Sequence, residues 1–202
     1  AGNVDIGAGP SATATVDNIP PTVSIGAPSV SPINSTGSTT FTLTYQIAPS
    51  PALVAGDITP NMAGGATGCA VNSVTGGATT TPQVTINSCT GNGTVSITVA
   101  SGQSQDAAGN LDIGAGPSAT ATVDNTAPVV SIGAPSGTLV NGSGSVNYSI
   151  TYTGATTINL TTGGVTLNTT GGASCTKGVS NGTTANPTVT LNSCTGNGTV
   201  GI

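Results

Sequence analysis

The sequence lacks most of the side chains on which catalysis and anion binding depend. It contains no His, Arg, Glu or Trp, and Lys177 is its only cationic residue. A general base near neutral pH is usually His, and phosphate groups are usually bound by Lys or Arg. With a formal net charge of −5, the chain also offers no basic face to nucleic acid or to an anionic membrane surface. We therefore expect neither an enzyme nor a nucleic-acid-binding protein.

Charged residues and long apolar runs are also scarce. The first absence argues against a disordered chain, and the second argues against a membrane-spanning segment. Charged residues make up only 3% of the sequence, whereas disordered chains combine low hydrophobicity with high net charge. No apolar run approaches the length of a membrane span, so we expect no membrane span in this segment. What the chain has instead is Gly, Thr, Ser, Asn and Ala, with apolar residues in short alternating runs.

An internal repeat sets the organisation of the chain. The phrase "AGNVDIGAGPSATATVDN" at residues 1–18 returns at residues 108–125 with one change, Val4 to Leu111. "PTVSIGAPS" returns as "PVVSIGAPS" 107 residues later, and "NSCTGNGTV" returns unchanged near the end of the chain. A unit of about 107 residues is too long for a solenoid turn and suits a sandwich domain.

Within one unit, the apolar residues alternate with polar ones. Phe41, Leu43, Tyr45 and Ile47 are separated by Thr and Gln, and Val146–Tyr152 repeats the pattern in the second copy. A period of two, interrupted by Gly, Asn, Pro and Ser clusters, is typical of half-buried antiparallel strands. About seven short strands per unit predict an all-β fold of tandem immunoglobulin-like β-sandwich domains. We expect a sixth strand at residues 95–100 and a seventh at residues 118–124.

Several phrases mark a family. "DNTAPVVSIGAPS", "VTLNTTG", "GNGTV" and "DAAGN" followed by "GPSATATVDNTAP" resemble the bacterial immunoglobulin-like tandem repeats of large secreted adhesins and surface filament proteins. The resemblance covers essentially the whole chain. It implies extracellular modules strung in long arrays, in which Ca²⁺ sometimes stiffens the domain junctions. The cysteine pairs and the near absence of Lys and Glu depart from the family pattern.

The repeat predicts three segments. Residues 1–18 form the closing strand segment of a preceding repeat or a donor strand, residues 19–125 a complete domain, and residues 126–202 a domain lacking its last strand. Two interpretations follow. Either the array continues in the same polypeptide, or residues 1–18 of one chain complete the last domain of the next by donor-strand complementation. In both cases the expected partners are neighbouring copies or repeats, end to end.

Four cysteines occur as one pair in each unit. The duplicated surroundings, "GGATGC" with "NSC" and "GGASC" with "NSC", favour the pairs Cys69–Cys89 and Cys175–Cys194. Zinc would need four close ligands, and the chain has neither His nor a Cys-x-x-Cys motif. We expect intradomain disulfides and hence an oxidising location outside the cytoplasm, extracellular or at the cell surface.

The acidic residues are concentrated in the repeated phrase. The loop after the sixth strand is expected to face the end of the preceding repeat, which would bring together Asp17, Asn18, Asp106, Asn110 and Asp112. Carboxylate and amide oxygens of this kind are Ca²⁺ ligands, so one interpretation is a Ca²⁺ site at the domain junction. The other is that Asp and Asn here stabilise turns by bonding to their own backbone.

The expected function is structural: a rigid spacer of tandem domains in a bacterial surface filament or giant adhesin. The alternative is a cell-adhesion module that recognises a host or neighbouring-cell receptor or glycan through its loops. Near-identical copies favour the spacer, because a binding tip would usually differ from its neighbours.

Overall fold

The structure is a computed structural model that describes residues 1–138 and 140–202. The chain divides into two compact units, which we call unit 1 (Ala1–Asn125) and unit 2 (Thr126–Ile202). The described residues contain no α-helix, and only two short 3₁₀ turns interrupt the strands, at Ala55–Asp57 and Thr162–Gly164. The all-β prediction is confirmed. The first twenty-two residues of unit 1 are in no strand.

Unit 1 contains seven strands arranged in two antiparallel sheets. One sheet has the order β1-β2-β5-β4 and the other the order β3-β6-β7. The strands are β1 Val23–Ile25, β2 Thr39–Tyr45, β3 Ile58–Ala63, β4 Ala70–Thr75, β5 Gln83–Asn87, β6 Gly93–Val99 and β7 Ala121–Val123.

Residues from both sheets of unit 1 pack into one hydrophobic core. In β2 the residues Phe41, Leu43 and Tyr45 are buried, and the Thr residues between Phe41 and Tyr45 are exposed. This alternation follows from the period of two along a strand, which places successive side chains on opposite faces. β5, beside β2 in the same sheet, adds Val84 and Ile86, and β6 of the other sheet supplies the facing Val95, Ile97 and Val99. Two antiparallel sheets that share a core are consistent with a β-sandwich.

The last strand of unit 1 is held on both sides. β7 pairs antiparallel with β6, with Val123 opposite Gly93 and Ala121 opposite Val95. On its other side, Ile33 forms a parallel bridge with Val123. The Ile33 amide donates to the Thr122 carbonyl at 2.9 Å, and the Asp124 amide donates to the Ile33 carbonyl at 2.9 Å. β7 is therefore an interior strand, and its Ala121 and Val123 side chains are buried.

The expected limits of the last two strands need correction. β6 begins at Gly93 and ends at Val99, whereas β7 covers only Ala121–Val123 and not residues 118–124. Ser118 contacts Ile97 with one backbone bond and one side-chain bond: its amide donates to the Ile97 carbonyl at 2.9 Å, and its hydroxyl accepts from the Ile97 amide at 3.0 Å. At this point a hydroxyl thus takes the place of the carbonyl that a regular ladder would use, and the strand itself begins at Ala121.

Unit 2 repeats the first sheet and has only part of the second. Its four-stranded sheet has the order β8-β9-β12-β11, the same connectivity as β1-β2-β5-β4. Its second sheet has two strands, β10 and β13, and the described residues contain no strand that corresponds to β7. The strands are β8 Val129–Pro135, β9 Ser145–Thr153, β10 Asn168–Thr169, β11 Ser174–Ser180, β12 Thr188–Thr195 and β13 Val200–Gly201. The core contains Val146, Tyr148, Ile150, Val165, Val189 and Leu191.

Candidate functional site

Both predicted disulfides are present. Cys69 is bonded to Cys89 and Cys175 to Cys194. In unit 1, Cys69 directly precedes β4 and Cys89 follows β5, where Ala70 pairs with Asn87. In unit 2 the bridge joins the neighbouring strands β11 and β12. Each bridge therefore fastens the open ends of one antiparallel pair, at the same place in both units.

The acidic loop of unit 1 is organised around Asp106. One carboxylate oxygen of Asp106 accepts the amides of Ala108 and Asn110, each at 2.9 Å, and the other accepts the Asn110 side-chain amide at 2.8 Å. The Asn110 side chain also donates to the main-chain carbonyl of Asp17 at 3.0 Å. The structure thus brings together Asp106, Asn110 and the carbonyl of Asp17, which belongs to the first copy of the repeated phrase.

Asp112 has different surroundings. Its side chain is buried, and its carboxylate accepts the Ser104 amide at 2.5 Å, the Ser104 hydroxyl at 3.1 Å and the Gly114 amide at 2.9 Å. A carboxylate with several donors is stable when buried because the bonds replace its hydration. Asp112 therefore holds the loop from Ser104 to Gly114 in shape.

The Ca²⁺ site stays a prediction. Asp17 and Asn18 are exposed, and the carboxylate of Asp17 accepts the Ile19 amide at 3.0 Å. Within residues 1–138 and 140–202 there is no group of three or more His, Cys, Asp or Glu side chains that could hold a metal ion. The carboxylates of Asp17, Asp106 and Asp112 all accept backbone amides two to eight residues away, which is the geometry of turn stabilisation.

The Asn110 contact predicts a shifted titration for Asp106. Hydrogen bonds from the Asn110 side chain and amide stabilise the charged form and lower the pKa of the Asp106 carboxyl. We expect Asn110→Ala to move this pKa back toward its ordinary value. Because the pKa is lowered on folding, the stabilisation is present above the ordinary Asp value and is lost as the pH falls through the folded value. Carboxyl-carbon NMR titration measures it, and an identical midpoint in the variant would contradict the assignment.

Tyr45 is an unusual core residue because its hydroxyl has no hydrogen-bond partner. It is the one buried side-chain polar atom without a partner in the described part of the chain. Burial raises the pKa of the Tyr45 hydroxyl, and the negative charges of Asp112 and Asp57 add to the effect. An unpaired buried hydroxyl costs free energy that an apolar side chain of the same shape avoids.

We expect Tyr45→Phe to stabilise unit 1 by about 1 kcal/mol, since it removes an unpaired polar atom and keeps the ring. Because burial raises the pKa of the Tyr45 hydroxyl, the folded chain keeps it protonated at a pH where the unfolded chain ionises it, and the fold therefore loses stability as the pH rises above the ordinary tyrosine value near 10. The variant should therefore lose less stability between neutral and strongly alkaline pH than the parent chain. Urea unfolding at both pH values tests this, and a destabilised Tyr45→Phe would contradict it.

Asn125 anchors the end of β7. Its side-chain carbonyl accepts the Ser35 amide at 2.6 Å, and its side-chain amide donates to the Gly91 carbonyl at 2.6 Å and to the Cys89 carbonyl at 3.4 Å. The Asn125 amide donates to the Asn92 side chain at 2.7 Å. One Asn thus connects the two segments on either side of β7. The sequence pattern alone did not predict this role, although Asn125 closes the repeated phrase.

Unit 2 has clefts where unit 1 has β7 and Asn125. A cleft of about 300 Å³ lies between Val140 and the segment Gly198–Val200, beside Tyr148. In the repeat alignment, Val140, Gly198 and Val200 correspond to Ile33, Gly93 and Val95, the residues that contact β7 in unit 1. A second cleft of about 310 Å³ is lined by Gly142, Cys194, Gly196 and Asn197, the counterparts of the four residues that bond Asn125.

A third cleft of unit 2, about 200 Å³ in volume, is lined by residues including Ile132, Ile150, Val165 and Ile202. In unit 1 the corresponding position is filled by the pairing of β3 with β6, in which Ile58, the counterpart of Val165, lies opposite Val99. The apolar side chains at this face are accessible, and Val130 and Ile132 are 54% and 55% exposed. Their counterparts Val23 and Ile25 are partly buried against the core of unit 1.

Comparison with known proteins leaves the chain without an assigned relative. No protein-family model matches it, and neither the curated proteins nor the solved structures contain a match. None of the helical segments in the described residues has the length and apolar character that crossing a membrane requires.

Proposed function

We propose that the chain is a structural extracellular protein, a rigid spacer built from tandem immunoglobulin-like domains in a bacterial surface filament or giant adhesin. The observation that carries the proposal is the duplication of architecture. Two successive units share one four-stranded sheet order and carry a disulfide at the same place in it. Disulfides of this kind persist in oxidising compartments, which supports a location outside the cytoplasm.

The connectivity of unit 1 suits it to bear tension between its ends. The chain enters near β1 and leaves after β7, and the segment at Ile33 runs parallel to β7 beside it. Pulling the two ends apart moves parallel neighbours in opposite directions along their length. The two bonds between Ile33 and β7 are then loaded together in shear, while the shared core resists separation of the sheets.

The disulfides support the same role. A bridge over the hairpin of β4 and β5 shields the residues between Cys69 and Cys89 from extension, because a covalent bond carries the load around them. The bridge also lowers the entropy of the unfolded chain, which stabilises the fold. We propose that the neighbours of each unit are further copies of the repeat, joined in one polypeptide or by strand exchange.

Immunogold electron microscopy of intact cells that produce the protein tests this proposal. We expect label on the outer surface, along filaments or extended strands. Label confined to the cell interior would contradict the extracellular role. Binding of the purified chain to receptor-bearing cells or glycan surfaces would instead favour the adhesion module, and the spacer predicts none.

A further inference from the structure

We infer that Lys177, the only cationic side chain of the protein, prevents the outer edge of β11 from pairing with β11 of a second copy. The inference goes beyond the proposed function, because it concerns a sheet edge and not the succession of repeats. β11 is the last strand of its sheet, and among the residues that the structure describes no strand pairs with its outer side. The unpaired amides and carbonyls of such an edge are a template for another chain.

The edge of β11 is regular over five residues. Residues 176–180 pair one for one with residues 188–192 of β12, and the register shift of this pair lies before them, between Ser174 and Thr176. A regular run presents an uninterrupted row of backbone groups on its free side. Without a protecting feature, this run is open to a further strand.

The corresponding strand of unit 1 is interrupted by a bulge. In β4 the register shifts between Val71 and Ser73, so Asn72 lies opposite no residue of β5. A bulge twists the strand and disrupts its pairing, which protects an edge. Unit 2 is one residue shorter here, since the cysteines are 20 residues apart in unit 1 and 19 in unit 2. "CAVNSVT" corresponds to "CTKGVS", so unit 2 lacks the bulge and has Lys177 in place of Val71.

The side chain of Lys177 lies on the core face of β11. The residue is opposite the buried Leu191 and on the same face as Cys175 and Val179, which pack against the core of unit 2. Its ammonium donates to the main-chain carbonyl of Val165. Lys177 is only partly buried. A lysine at such a position covers apolar surface with its methylene groups while its charged end stays in contact with water.

A second strand along β11 would enclose this ammonium. None of the four strands of the sheet contains Asp or Glu, so the sheet has no carboxylate to neutralise the charge. Burial of a charge without an opposite charge is strongly unfavourable. If the added strand is β11 of a second copy, paired antiparallel about a twofold axis, the two Lys177 side chains lie on the same face and repel each other. An inward-pointing charge is a known protection of sheet edges.

Other edge strands are protected in different ways. β3 contains Pro60, which has no amide to donate, and β1 has only three residues. β8 has a register shift between Ile132 and Pro135. β11 has neither a proline nor a bulge within residues 176–180, and the feature that it has instead is Lys177.

The test measures self-association of the full chain by sedimentation velocity. Lys177→Val introduces the residue that unit 1 has at this position, and we expect at least about a tenfold rise in the self-association constant over the parent. Lys177→Arg keeps the charge and should associate as the parent does. Ser180→Val adds the same apolar side chain on the exposed outward face of β11 and should also match the parent. An unchanged constant for Lys177→Val, or an equal rise for Ser180→Val, would overturn the inference.

Restoring the bulge gives an independent test. Insertion of one Asn after position 177 in the Lys177→Val chain recreates the arrangement of β4 and should return association to the parent level. Hydrogen exchange of the associated Lys177→Val chain should show added protection at residues 176–180. Association that persists after the insertion, or added protection only in other segments, would contradict a contact at this edge. Association by any other route is common to all the variants, so failure here is distinguishable from failure of the spacer function.

Discussion

Replacing Phe41 by Ala is expected to lower the free energy of unfolding of unit 1 by about 4 kcal/mol. Phe41 is fully buried in β2, and among the residues that the structure describes it is the largest side chain that is fully buried. It packs in the cluster that joins β2 and β5 to the second sheet. Removal of the ring loses its transfer free energy and leaves a cavity between two sheets that can collapse only partly. Hydrogen exchange measured by mass spectrometry assigns the loss to the strands of unit 1.

The matched control is Ile113→Ala, which also shortens a large apolar side chain of unit 1. Ile113 is 80% exposed, so its truncation should change stability by less than about 0.5 kcal/mol. If the two substitutions were to cost similar amounts, the core described for unit 1 would be wrong. The counterpart of Phe41 in unit 2 is Tyr148, whose hydroxyl donates to the Val200 carbonyl at 3.3 Å.

Replacing Cys69 and Cys89 together by Ala is expected to destabilise unit 1 by about 3 kcal/mol, the loop-entropy effect of a bridge across a loop of this size. Ala is preferable to Ser because Cys89 is fully buried and a serine hydroxyl there would need a partner. The two cysteines are 20 residues apart, so the unfolded variant regains the freedom of that whole hairpin. Urea unfolding of the parent and the variant gives the difference.

The second disulfide supplies the control for this effect. Cys175 and Cys194 are 19 residues apart and only partly buried. Their replacement therefore removes a similar constraint on the unfolded chain but loses less side-chain packing in the folded unit. We expect the loss of stability in unit 2 to be smaller than that in unit 1, because only unit 1 also loses the packing of a fully buried cysteine, Cys89. No loss in either unit would show that the bridges do not stabilise the fold.

The strands were predictable because a local sequence pattern, the alternation of apolar and polar residues, indicates them. Alternation of apolar and polar residues in β2 and β9 is sufficient to place Phe41, Leu43 and Tyr148 in the core. A sheet with one face in the core and the other in solvent requires this period of two residues. The duplicated flanks also paired the cysteines correctly, because a pair that repeats with its unit must close within it. The expected Ca²⁺ ligands and the domain limits remain predictions.

What the pattern missed depends on contacts distant in sequence. Asn125 bonds Ser35 across 90 residues, and such a contact leaves no local periodicity. Asp112 is buried, although an aspartate between turn residues is ordinarily expected at the surface, because Ser104 and Gly114 supply its donors. The limits of β7 also differed, and at Ser118 a hydroxyl takes the place of the carbonyl that a regular ladder would use.

Force spectroscopy of the single chain, held at its two ends, tests most directly the claim that the repeats bear load. We expect unit 1 to resist extension and then to unfold in one event. Reduction of the Cys69–Cys89 bridge should lengthen that event by about 70 Å, the extended length of the residues that the bridge encloses. Smooth extension without a force peak, or an event of unchanged length after reduction, would contradict the account.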